Sequence, residues 1–129
     1  MIMKHMYLIL ALISVVGFVG CSPSETESIN GKIKVTTTIA QVADLVRNVG
    51  KNHVELTSLM GPGVDPHLYK ASQNDISKLS NANIIFYNGL MLEGRMADVF
   101  VKMARMGQPT VAVSEGVGES RLAEPAEYE

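Results

Sequence analysis

Two hydrophobic rhythms take turns along this chain between Ile33 and Val113. Ile33 to Thr37 is a β-branched run that predicts a strand. Ile39, Val42, Ala43, Val46 and Val49 then recur at helical spacing until Gly50 offers a stop, and Thr38 with Gln41 three positions later reads as a capping box for that helix. Val54 to Met60 predicts a second strand and Gly61 to Tyr69 a loop. Ser72 with Asp75 starts a helix that carries Ile76, Leu79 and Ala82, and Ile84 to Tyr87 is compact enough for a buried strand. Met96, Val99, Phe100 and Met103 form one more helical stripe before Pro109, and Thr110 to Val113 predicts a fourth strand. Strands separated by helices need crossover connections, so the pattern predicts an α/β fold with a parallel four-stranded sheet and flanking helices.

At both ends the rhythm fails. Beyond Val113 the chain runs through Ser-Glu-Gly-Val-Gly-Glu-Ser and onward to Glu129 without a helical stripe, an open loop where a complete domain would dock a last element; this predicts a truncated gene or a fragment. Before Ile33, residues 22–31 are polar and turn-forming, as in a flexible tether. Residues 1–20 have the parts of a secretory signal: basic Lys4 and His5, an apolar run from Met6 to Val19, and small Gly20. That run falls short of the roughly 20 apolar residues a membrane-spanning helix requires. Domain organisation therefore reads as a signal over 1–20, a lipidated cysteine and tether over 21–32, and an α/β lobe over 33–129.

Cys21 is the one cysteine of the sequence, so no intrachain disulfide is possible. Placed after a small residue at the end of an apolar run, it resembles the lipobox cysteine of bacterial lipoproteins, with Phe18 departing from the usual leucine. The resemblance implies a diacylglyceryl group on its sulfur, hence an exported chain anchored to a membrane's outer face or in the periplasm without spanning it. Each buried acyl methylene contributes about 0.8 kcal/mol to such an anchor.

Charge removes other classes. There are 11 basic residues, one of them Lys4 in the signal, against 13 acidic, and no Trp. Nothing here forms a basic patch or an aromatic platform, so no nucleic-acid partner is expected. Gly61-Pro62-Gly63 resembles a phosphate-binding turn only superficially, because neither the dinucleotide fingerprint nor the P-loop ending follows. No nucleophile elbow or Cys-His arrangement marks an enzyme, and a hydrolase built on Asp65 and His67 would have no visible nucleophile.

The segment Met60-Gly61-Pro62-Gly63-Val64-Asp65-Pro66-His67-Leu68-Tyr69-Lys70 carries the chemistry. Strand two delivers it to the carboxyl edge of the sheet, where open parallel sheets bind ligands. Its glycines and prolines make a stiff turn that presents the His67 imidazole, a donor suited to Zn, Mn or Fe. Asp65, two residues earlier and before a proline, is best explained as a turn former. His53 reads as a surface turn residue. Met91, Met96, Met103 and Met106 offer a soft-metal alternative, but Met96 and Met103 lie on the apolar stripe and read as core.

These segments carry a family resemblance. Thr36-Thr37-Thr38-Ile39, Gly63-Val64-Asp65-Pro66-His67-Leu68-Tyr69, Asn83-Ile84-Ile85-Phe86-Tyr87-Asn88-Gly89-Leu90 and Leu92-Glu93 resemble the amino-terminal lobe of the solute-binding proteins that serve manganese, zinc and iron ABC importers. The resemblance implies one lobe of a two-lobed protein, with His67 as a metal ligand and the other three ligands beyond Glu129. It implies capture of a divalent transition metal for a membrane permease, and the lack of a histidine-rich insertion leans toward manganese or iron. Glu93 is not a ligand in that pattern; its place before a helix predicts a favourable charge at the helix start. One imidazole on half a cleft holds metal weakly, and the exposed apolar edge of a lone lobe favours association. The competing reading is a surface adhesin or structural lipoprotein in which His67 is incidental.

Overall fold

The computed structural model describes residues 31–122, so the signal segment, Cys21 and most of the tether lie outside the described residues. Four strands alternate with three helices: β1 (Ile33–Thr37), α1 (Ala40–Gly50), β2 (Val54–Ser58), α2 (Gln73–Ser80), β3 (Ile84–Tyr87), α3 (Ala97–Arg105) and β4 (Thr110–Ala112). Every strand pairing is parallel and the order is β2-β1-β3-β4. The α/β expectation is met, with β1 and β3 as predicted. Strand β2 ends at Ser58, before the predicted Met60, yet the Leu59 and Met60 N–H groups still donate to the Thr37 and Thr38 carbonyls. Strand β4 stops at Ala112, and Val113–Gly116 and Glu119–Arg121 form short 3-10 turns.

Register divides the side chains between two faces, because successive residues of a strand point to opposite sides. Val35 lies beside Ile84, and Thr37 beside Phe86, on the side of α1; Thr36 beside Ile85 faces the other way, where the Thr36 hydroxyl donates to the Lys78 carbonyl of α2. On that second face Leu79, Ile85, Met96 and Met103 are fully buried, and Tyr87 stacks on Phe100 with ring centroids 4.2 Å apart. Met96 and Met103 are thus core residues as predicted, while Met91 and Met106 are exposed. Right-handed crossovers produce this split: the β1-α1-β2 unit moves one way along the sheet and the two later units move the other way.

Helix α1 covers its face only in part. Leu45 and Val49, on the helix, remain exposed and with Ile33, Ile84, Phe86 and Val113 line an apolar hollow of about 390 Å³. Val49 belongs to the predicted helical stripe, yet it is 84% exposed at the rim of this hollow. Helix α2 is better finished. Ser72 and Asp75 form the predicted capping box, and the Gln108 side-chain amide donates to the carbonyls of Leu79, Ser80 and Ala82, satisfying groups that a helix end leaves unpaired. Among the described residues no helix is long and apolar enough to cross a membrane.

Candidate metal-binding edge

The connections from β1 and β3 run in opposite directions, toward β2 and β4, so the crevice between their carboxyl ends is the topological switch point where open α/β sheets bind ligands. One buried acid occupies that crevice. Glu93 is 2% exposed, and its carboxylate accepts from the Thr38 hydroxyl at 2.7 Å, the Asn88 N–H at 2.8 Å and the Gly89 N–H at 3.3 Å. This corrects one sequence expectation and refines another. Thr38 does not cap α1, whose N-cap is Ile39 with no side-chain hydrogen bond; its hydroxyl is committed to Glu93. Glu93 does stand at a helical start, as the N-cap of the 3-10 turn Gly94–Met96 ahead of α3, but it makes no side-chain cap hydrogen bond there, and its oxygens turn back to the strand ends. A carboxylate with three nearby donors gains more from them than from the partial charge of a helix terminus.

The backbone that supplies those donors is unusual. Gly89, Leu90 and Met91 all have positive φ, at 88°, 50° and 60°. Only glycine adopts this region without penalty, and a Cβ on Gly89 would meet the Ser114 Oγ at 2.5 Å and the Ala112 Cβ at 3.0 Å. The tight reversal aims the Asn88 and Gly89 N–H groups inward at the carboxylate and leaves Leu90 and Met91 largely exposed.

The His67 loop leaves β2 beside this crevice. Val64 N–H donates to the Gly61 carbonyl, and Gly63 has φ of 82°, the combination of Pro62 followed by a left-handed Gly63 that a type II turn requires. The turn backs onto Ile39, Met60 and Leu92 around a cleft of about 200 Å³. Asp65 Oδ1 accepts from the His67 N–H at 2.9 Å, so Asp65 is a turn former as expected. The His67 side chain is exposed, as is His53, which lies in the 3-10 turn Lys51–His53. Among the described residues no three His, Cys, Asp or Glu side chains converge as a metal would need.

A family model matches residues 35–129: ZnuA, the periplasmic component A of a zinc-uptake complex. The chain belongs to the ZnuA family. The motif resemblance read from the sequence is therefore confirmed. It is 48% identical over 104 residues to the manganese-binding lipoprotein MntA of Bacillus subtilis, and 46% identical over 123 residues to the zinc-binding protein TroA of Treponema pallidum. These alignments take in 80% and 94% of this chain but 34% and 40% of the two relatives. An iron ABC transporter substrate-binding lipoprotein, MtsA of Streptococcus pyogenes, is 37% identical over 121 residues. The solved structure of Treponema pallidum TroA superposes with a TM-score of 0.68 at 48% identity, over 77% of this chain and 35% of that one. A manganese-bound periplasmic protein of Candidatus Liberibacter asiaticus superposes at 0.60 and 30% identity, over 67% of this chain and 32% of that one. The chain thus spans a third to two fifths of its relatives, as one lobe of a two-lobed architecture would.

In this ZnuA-family lobe a second network, which the sequence reading saw only as a cap, fastens the far end of the loop. Asp75 is 5% exposed, and its Oδ2 accepts from the Tyr69 hydroxyl at 2.8 Å, the Ser72 N–H at 2.9 Å and the Ser72 hydroxyl at 2.7 Å, while Lys78 Nζ lies 3.4 Å from Oδ1. Burial alone would raise the Asp75 carboxyl, but the hydrogen bonds from the Ser72 side chain and backbone, Tyr69 and Lys78 outweigh it and hold the group down at about 2. Burial, followed by the bond and charge of Asp75, pushes the Tyr69 phenol up to about 12. Because the Asp75 value lies below its ordinary 3.8, its contribution, about 2 kcal/mol, is complete above that value and is lost as pH falls toward 2. Urea unfolding of wild type and Asp75→Asn at about pH 5 and about pH 2.5 checks this. The stability gap between them should narrow markedly in acid; an unchanged gap would refute the assignment.

Proposed function

We propose that this chain is the amino-terminal lobe of an exported, lipid-anchored solute-binding protein that captures a divalent transition metal and passes it to the permease of an ABC importer. The observation that carries the reading is His67. It stands exposed on a stiff loop at the carboxyl edge of the sheet, in a family whose members named above bind manganese or zinc or serve iron transport. A neutral imidazole ligates all three metals, so manganese, zinc and iron are each admissible cargo. The lipid on Cys21 and the 22–31 tether would hold the lobe near its permease and raise its local concentration there.

The donor count sets the affinity. Tight sites bring three or four deprotonated ligands together, whereas no three such side chains converge among the described residues. The purified chain is therefore expected to bind Zn²⁺ or Mn²⁺ more weakly than about 1 μM at neutral pH, with His67→Ala removing the binding that remains. Isothermal titration of both proteins tests this. Retention of wild-type affinity by His67→Ala would overturn the role of His67, and sub-micromolar binding by the chain would show that it holds further ligands.

A further inference from the structure

Among the described residues no group hydrogen-bonds the His67 imidazole, so its direction is set by how the loop is tied down. On the incoming side the Met60 N–H donates to the Thr38 carbonyl at 2.8 Å, and the Gly61–Val64 turn and the Asp65 side chain shape the backbone up to His67. On the outgoing side Tyr69 is the tie. Its ring packs against the core cluster while its hydroxyl reaches Asp75 at 2.8 Å, at the capped start of α2. Leu68, between them, is exposed.

From this geometry we infer that Tyr69 is a positioning residue for metal capture: through the Asp75 carboxylate it locks the outgoing strand of the loop and holds the His67 imidazole where a metal can reach it. The inference rests on the proposed metal-binding role of His67. A ligand already held in place loses little conformational freedom on binding, so a loosened loop lowers affinity without removing any donor. Asp75 serves two purposes, capping α2 and accepting from Tyr69, and the two can be separated. Tyr69→Phe keeps the packed ring and removes only the tie. Asp75→Asn keeps an oxygen acceptor for the Tyr69 hydroxyl but loses the charge that faces Lys78 and the cap.

The two variants should therefore rank in opposite order on two measurements. Asp75→Asn should lower the urea midpoint more than Tyr69→Phe. Tyr69→Phe should weaken Zn²⁺ binding more, by about tenfold in an NMR titration of the purified chain, the scale typical of losing a group that orients a metal ligand. Amide exchange in Tyr69→Phe should quicken from Val64 to Leu68 and stay unchanged at Leu79 and Ile85. A purely structural role predicts the same rank on both measurements, and that result would overturn the inference. So would unchanged Zn²⁺ affinity in Tyr69→Phe alongside its loss in His67→Ala. If His67→Ala itself leaves affinity unchanged, the metal reading falls and this inference falls with it, whereas quickened loop exchange would still establish the mechanical tie.

Discussion

Replacing Glu93 with alanine should cost about 3–5 kcal/mol, a large share of the total stability of a domain this size. Three donors converge on the carboxylate, from the Thr38 hydroxyl at the end of β1 and from the Asn88 and Gly89 N–H groups after β3. Alanine removes the acceptor but leaves the donors in place. Thr38 and Gly89 are buried, so the lost bonds are replaced poorly by water. Glu93→Gln should cost less, about 1–3 kcal/mol, since its carbonyl still accepts while its amide meets an N–H with another donor. Urea unfolding followed by far-UV circular dichroism measures both. Equal, small losses for the two variants would show that the acid is not what joins the strand ends.

Leu79→Ala should destabilise the chain by about 3 kcal/mol. Leu79 has no solvent exposure and belongs to the cluster that α2 and α3 bury on the sheet with Ile85, Met96, Phe100 and Met103. Truncation removes apolar contact and leaves a void. Two flexible methionines in that cluster can move partly into the gap, which keeps the loss below the largest values seen for such changes. Leu45→Ala, at a position 59% exposed on α1, is the control and should change stability by no more than about 0.5 kcal/mol. The same unfolding assay checks the pair, and similar midpoints for both would contradict the assigned core.

The strands and helices were legible because each has a short, strong pattern: β-branched Ile33–Thr37, compact Ile84–Tyr87, and the i, i+3, i+4, i+7 stripe from Met96 to Met103, whose first member lies in the 3-10 turn just ahead of α3. Ser72 and Asp75 were equally clear, since a capping box spans only four residues. The bond between Thr38 and Glu93 was not legible for the complementary reason: each sits beside a helical start in the sequence, the two are 55 residues apart, and local spacing favours the nearby explanation. Tyr69 was passed over as part of the motif around His67; a tyrosine three residues before a serine N-cap gives no periodic signal that its hydroxyl bonds Asp75. His67 itself was found because its loop is punctuated by glycine and proline, and the structure adds how that loop is fastened.

Among the described residues an all-parallel sheet of order β2-β1-β3-β4 leaves two strand edges open to chain-to-chain pairing. Both are poor templates. Strand β4 is three residues long and follows Pro109, which has no N–H to offer, and β2 is five residues with exposed Glu55 at its second position. Ladder growth from either side is therefore discouraged by length and charge. The uncovered hollow beside α1 differs, because it offers apolar side chains with no demand for backbone register. Among the described residues the larger apolar exposure therefore lies in that hollow, between Leu45, Val49 and Phe86, and not along the strand edges.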